Sequence, residues 1–178
     1  MITHIALLRA VNVGANMLKM GHLREVLAEL GFADVKTYLQ SGNVLFNAKG
    51  TSARLAAIIE ERVSEVTRLP VSAIVRTPPE LQRIIAANPF AEEAGVSPRT
   101  VHVTFLAGTA PKATAAAIGK LQSGTDRWHA AGSEIYLCCP DGYGRTKLNN
   151  TALERALGLR ATTRNWKTVT ALHAMAIS

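Results

Sequence analysis

The chain has 178 residues, 48% hydrophobic and only 19% charged, a composition that excludes a disordered polypeptide and allows one good core or two small lobes sharing one. Its net charge of +7 permits an anionic partner but equally serves solubility, and the Lys and Arg residues are scattered rather than gathered into a nucleic-acid-binding tail. No apolar run approaches the roughly 20 residues of a membrane span, and the N-terminus lacks the pattern of a signal peptide.

Residues 3–11 form an apolar run whose two alternating faces are both mostly apolar, as in a central strand covered on both sides. Arg9 is the exception near its end. A polar loop follows, from Asn12 to Asn16. Met20, Leu23, Leu27 and Leu30 then share one helical stripe, and Gly31 is a natural stop. Val35 to Phe46 reads as a hairpin with Ser41-Gly42 as a two-residue loop. That register pairs Gln40 with Asn43, Leu39 with Val44, Tyr38 with Leu45, and Thr37 with Phe46. The face carrying Val35, Thr37, Leu39, Val44 and Phe46 must then be buried, and the face carrying Lys36, Tyr38, Gln40, Asn43 and Asn47 holds Leu45 as its one apolar member.

Ser52 is placed to cap a second helix with the stripe Leu55, Ile58, Ile59, Val63 and Val66. Pro70 ends it, and Val71 to Arg76 gives a strand. The order to this point, βαββαβ, is the split βαβ or ferredoxin-like pattern. Thr77-Pro78-Pro79-Glu80 has the composition of a helix start, and that helix ends near Asn88-Pro89-Phe90. Residues 91–99 read as a linker.

The pattern then begins again. Val101, Val103 and Phe105 alternate along a strand. Pro111 to Leu121 is an Ala-rich helix, and Arg127 to Leu137 a second hairpin turning near Ala131-Gly132. Thr151-Ala152-Leu153-Glu154 is a capping box that opens a helix through Leu157. Ala161 to Arg164 is a short strand, and Trp166 to Ala176 a closing helix. The expected fold class is therefore α+β: two tandem ferredoxin-like lobes (βαββαβ plus helix) at 1–90 and 100–178, packed together over a shared core. This is an internal duplication of pattern, not of residue identity.

Chemistry is harder to find than architecture. Five histidines, His4, His22, His102, His129 and His173, show no metal-binding spacing, and adjacent Cys138 and Cys139 form neither a Cys-x-x-Cys pair nor a disulfide framework. No metal and no cofactor is expected, and reduced thiols fit a cytoplasmic protein. Ser41 sits at a turn without the Gly-x-Ser-x-Gly elbow of a nucleophile, and no pair of carboxylates stands out for acid–base work.

Two stretches are more informative. In Asp141 to Asn150, two glycines with Arg145 and Lys147 precede a capped helix start. This is either an anion site, built on free N–H groups and the helix dipole, or a glycine-rich loop with solvated charges. Arg164-Asn165-Trp166-Lys167 lies where a strand passes into a helix. Its tryptophan either stacks a base or sugar or anchors a core.

Several motifs together resemble one family. They are Leu8-Arg9-Ala10-Val11-Asn12-Val13-Gly14, Lys19-Met20, Leu23-Arg24, Leu30-Gly31-Phe32, and Thr37-Tyr38-Leu39-Gln40-Ser41-Gly42-Asn43-Val44. Val75-Arg76-Thr77, Asn88-Pro89-Phe90, Thr146-Lys147-Leu148 and Thr163-Arg164-Asn165-Trp166 extend the match over nearly the whole chain. The chain is similar to the bacterial domain-of-unknown-function family sixteen-ninety-seven. The resemblance implies an α+β fold with a ferredoxin-like part and brings no activity, substrate or catalytic residue.

The matching motifs share loop polar residues. Arg9, Asn12, Asn16, Gln40, Ser41, Asn43, Arg145, Lys147, Arg164, Asn165, Trp166 and Lys167 are the candidate ligand-binding set. Guanidinium, ammonium and amide groups read anions and polar edges and are poor acids or bases. The expectation is a cytoplasmic protein that binds a small anionic or nucleotide-like ligand between its lobes. The alternatives are an RNA or single-stranded DNA binding protein, disfavoured by an aromatic content of 5%, and a transferase or hydrolase acting on a phosphorylated substrate.

Overall fold

The computed structural model describes residues 1–9, 11, 17–121 and 124–178. The chain divides into two compact units. Unit one is Met1–Gln82 with Leu172–Ser178, and unit two is Arg83–Ala171.

Unit one runs β1 (Ile2–Arg9), α1 (Met20–Glu29), β2 (Ala33–Tyr38), β3 (Asn43–Ala48), α2 (Ser52–Thr67) and β4 (Ser72–Arg76). Its four strands lie in the order β2-β3-β1-β4 with every neighbouring pair antiparallel, the arrangement of the ferredoxin-like fold. Ala6, Leu8, Val44, Phe46, Ala73 and Val75 on one sheet face pack with Leu23 and Leu27 of α1 and Leu55 and Ile59 of α2. Ile5, Leu7, Leu45 and Ile74 on the other face are also buried, which accounts for the doubly apolar first strand.

After β4 the chain forms α3 (Pro78–Ala86) and α4 (Ala91–Val96). Glu80 accepts from the Thr77 backbone N–H at 2.7 Å, as its place in the helix start predicts. The stretch expected as a linker, 91–99, contains α4.

Unit two repeats the topology with β5 (Val101–Leu106), α5 (Thr114–Leu121), β6 (Arg127–Ala131), β7 (Glu134–Cys138), α6 (Asn150–Leu157) and β8 (Ala161–Asn165), in the order β6-β7-β5-β8. The closing helix α7 (Trp166–Ile177) follows without a break. Leu106, Ile135, Leu137, Ile118, Leu153 and Leu157 form the core beneath α5 and α6. Val101, Val103, Phe105 and Tyr136 fill the other face, where the Tyr136 hydroxyl donates to the Ile84 carbonyl at 2.9 Å.

Three local expectations are corrected. The first hairpin does not turn on two residues: Tyr38 faces Asn43, Thr37 faces Val44 and Lys36 faces Leu45, a shift of two positions. The loop is Leu39 to Gly42, with Leu39 at φ 58° and Gly42 at φ 74°. A two-residue shift preserves the faces, so Val44 and Phe46 still point inward, but Leu39 leaves the core and becomes 56% exposed. The cap of α2 is Thr51, whose hydroxyl accepts from the Arg54 N–H, not Ser52. The cap of α6 is Asn149, whose Oδ1 accepts from Ala152 N–H at 3.0 Å. Glu154 is drawn away from its expected capping role to accept from Ala161 N–H, tying α6 to β8.

Candidate functional site

The predicted residues of unit one lie at the first hairpin and the end of β1. Asn43 is fully buried, and its side-chain amide donates to the Tyr38 carbonyl and to Ser41 Oγ, both at 2.9 Å. Gly42 is pressed against β1: its carbonyl accepts from Leu8 N–H at 2.8 Å. A Cβ there would lie 2.5 Å from Val11 Cγ2 and 2.8 Å from Leu8 Cβ. The Gln-Ser-Gly-Asn motif thus closes the turn and clamps it to the neighbouring strand. Gln40 and Ser41 are exposed, and Arg9 is half-buried opposite Ser72. Asn12 and Asn16 lie outside the described residues.

Asn43→Ala is expected to cost about 2 kcal/mol, because it removes both hydrogen bonds of a fully buried amide and frees the turn. Urea unfolding measures the loss.

The predicted residues of unit two meet more chemistry. Thr146 donates to the buried Asp126 carboxylate at 2.6 Å and accepts from Leu148 N–H, while Leu148 fills the core. The Thr146-Lys147-Leu148 motif is therefore an anchor and a core residue with an exposed lysine held between them. Before it stands a 3-10 turn, Tyr143–Arg145, which brings Tyr143 over β5. The Tyr143 ring stacks on His102 with centroids 4.7 Å apart.

The start of α6 is tied to the end of β8. Thr163 Oγ1 donates to Asn150 Oδ1 at 2.7 Å, so the 2.7 Å contact between the Thr104 and Thr163 hydroxyls must be donated by Thr104. Two residues beyond Thr163, Asn165 caps α7 by accepting from Thr168 N–H at 2.8 Å. The N-termini of α6 and α7 are thus brought to one end of the unit, beside the paired positions His102 and Asn165. Both helix ends carry partial positive charge there. Arg145, Lys147 and Lys167 are exposed at this end, and none of the three takes part in an ion pair among the described residues.

Arg164 is placed differently. Its strand position is opposite Val103, on the sheet face away from His102 and Asn165. Its Nη1 donates to Thr162 Oγ1 at 2.8 Å and to the Thr163 carbonyl at 2.9 Å. Burial pushes its pKa down to about 10, with the Tyr143 phenol acting in the opposite sense, so it stays charged at neutral pH. Trp166 is half-buried as the first residue of α7.

Sequence reasoning passed over His102. It is 7% exposed, its Nδ1 has no hydrogen-bond partner, and burial holds its pKa below the ordinary histidine value against the Thr100 backbone, which acts to raise it. The signal was the alternation in β5, where His102 and Thr104 interleave with Val101, Val103 and Phe105 on a strand buried on both faces. Among the described residues there is no group of three His, Cys, Asp or Glu side chains able to hold a metal ion, and no helix is long and apolar enough to cross a membrane.

A family model described as "Protein of unknown function (DUF1697)" matches residues 1–136. No curated protein matches the chain. Among solved structures, the conserved bacterial protein SP0830 from Streptococcus pneumoniae is similar over 99% of this chain and 99% of its own, with a TM-score of 0.74 at 19% identity. At that identity the likeness shows the fold alone.

Proposed function

Because the chain belongs to the DUF1697 family, whose description assigns no activity, the chemistry has to come from the site, and we propose that unit two binds a small oxyanion-bearing ligand where α6 and α7 begin. One observation carries this reading. The Thr163–Asn150 hydrogen bond ties the start of α6 to β8, the strand that runs into α7, at an end of the unit that also presents Arg145, Lys147 and Lys167 without carboxylate partners among the described residues. Paired helix ends and unneutralised cations favour negative charge, and an exposed cluster of this kind suits phosphate or carboxylate groups on a small molecule. Asn150 and Asn165 add amide groups at the same place.

RNA binding through an open sheet face is disfavoured. Ile5 and Leu7 in unit one and Val101, Val103 and Tyr136 in unit two are 0–2% exposed, so those faces have no room for stacked bases.

The test is a thermal-shift series with inorganic phosphate, nucleotides and phosphosugars. The native protein is expected to melt a few degrees higher with a phosphate-bearing ligand at 100 times its dissociation constant, equivalent to about 2.7 kcal/mol. The shift should shrink in Lys147→Ala, which removes an exposed charge outside the core. Equal shifts in the two proteins, or none in either, would refute the site.

A further inference from the structure

Unit two buries an imidazole at the place where the proposed anion would sit. His102 is more than nine-tenths buried and its Nδ1 has no hydrogen-bond partner, a rare condition for a buried polar atom and one that asks for a missing group. Its strand partner is Asn165, the cap of α7, and directly paired residues on one face bring their Cβ atoms to about 4.5–5.5 Å. Two residues along the same face, Thr104 starts the hydroxyl chain that ends at Asn150, the first residue of α6. Tyr143 covers the ring from the side of the 3-10 turn. The imidazole therefore lies on the sheet face shared by Asn165, which caps α7, and by Thr163, which is bonded to the start of α6.

We propose that this junction takes up an oxyanion together with one proton, and that His102 is where the proton goes. The inference rests on the anion site above and adds the control of that site. Before binding, burial disfavours the charged form of the ring against the opposing Thr100 backbone, and no charged side chain among the described residues offsets it. The groups facing it are the Tyr143 phenol from the turn, the Asn165 amide from β8, and apolar Leu137 from β7. None supplies negative charge at neutral pH. A bound dianion does, and an opposite charge within a few ångströms favours imidazolium. One proton passes from solvent to the ring, and no other bond forms or breaks. Imidazolium carries two N–H donors, so Nδ1, which lacked a hydrogen-bond partner, becomes a donor to the anion. The site then prefers dianions at lower pH and releases them as pH rises.

The probe is inorganic sulfate, which stays a dianion throughout the range, titrated calorimetrically into the full chain. Between pH 6.5 and 8 the association constant is expected to fall by up to about tenfold per pH unit, the slope for uptake of one proton. Repeating the titration in buffers of different ionisation enthalpy should report close to one proton bound. In His102→Gln the sulfate constant should be flat with pH. Because that variant touches a buried position, histidine-ring NMR on the native protein gives a second reading: the pKa of His102 should rise by more than one unit on adding sulfate. Sulfate binding with a flat pH profile and an unmoved His102 resonance would overturn this inference and leave the anion site standing. Absence of binding by both sulfate and phosphate would overturn both.

Discussion

Gly42→Ala is expected to destabilise unit one by about 3 kcal/mol. Roughly 1 kcal/mol comes from placing a side chain at φ 74°, and about 2 kcal/mol from forcing a methyl into Val11 and Leu8. The steric part cannot relax cheaply, because Leu8 Cβ is fixed to the backbone of a central strand whose Leu8 N–H donates a hydrogen bond to this very turn. Gly31 is the control. It also has positive φ, at 79°, but nothing lies within 4 Å of the position its Cβ would take. Gly31→Ala should therefore cost only about 1 kcal/mol. Urea denaturation followed by circular dichroism separates them. If the two substitutions cost the same, the close approach of the hairpin to β1 is wrong.

The second large effect is acid lability. His4 is 1% exposed in β1, stacked on Phe46 at 5.6 Å, and neither ring nitrogen has a hydrogen-bond partner. Burial lowers its pKa, while the Ala48 backbone and the Glu80 carboxylate act more weakly to raise it. The unfolded chain has a histidine pKa near 6.5, and the folded value lies below that. Below pH 6.5 the unfolded state binds a proton that the folded state refuses, so stability falls as pH falls. The loss approaches about 1.4 kcal/mol per pH unit for each such histidine until the folded pKa is passed. His102 adds a second contribution of the same sign. His4→Phe keeps an aromatic ring beside Phe46 and removes the titration. Its unfolding free energy should drop only about half as steeply as that of the native protein from pH 6.5 to 5. Parallel pH profiles would show that His4 charges freely in the fold.

Much of the architecture could be read from residue patterns. Alternation and helical stripes located both βαββαβ series, because the core faces of β1, β3, β5 and β7 are strongly apolar and the intervening helices have clean inner edges. The hairpin register could not be read this way. A two-residue slip leaves every side chain on its own face, so the apolar pattern tolerates it, and only the approach of Gly42 to Leu8 and Val11 decides. The helix caps failed for a similar reason. Asn149 and Thr151 are both good caps by type, and the choice rests on Glu154 being claimed by Ala161 from a strand that is distant in pattern terms.

The candidate site mixes two kinds of polar loop residue that residue type alone cannot separate. Asn43 and Thr146 hold turns together, whereas Lys147 and Lys167 remain in solvent. Arg164 folds back onto its own strand. His102 was overlooked because nothing in its neighbours along the chain reveals that Tyr143, 41 positions later, covers its ring.

The division of the chain also bears on where it can be cut. Unit two is one continuous stretch, Arg83–Ala171, flanked by the two pieces of unit one, Met1–Gln82 and Leu172–Ser178. Neither boundary falls in a linker: the first lies within α3 and the second within α7. A chain divided at either place would sever a helix and leave its backbone N–H and C=O groups without partners.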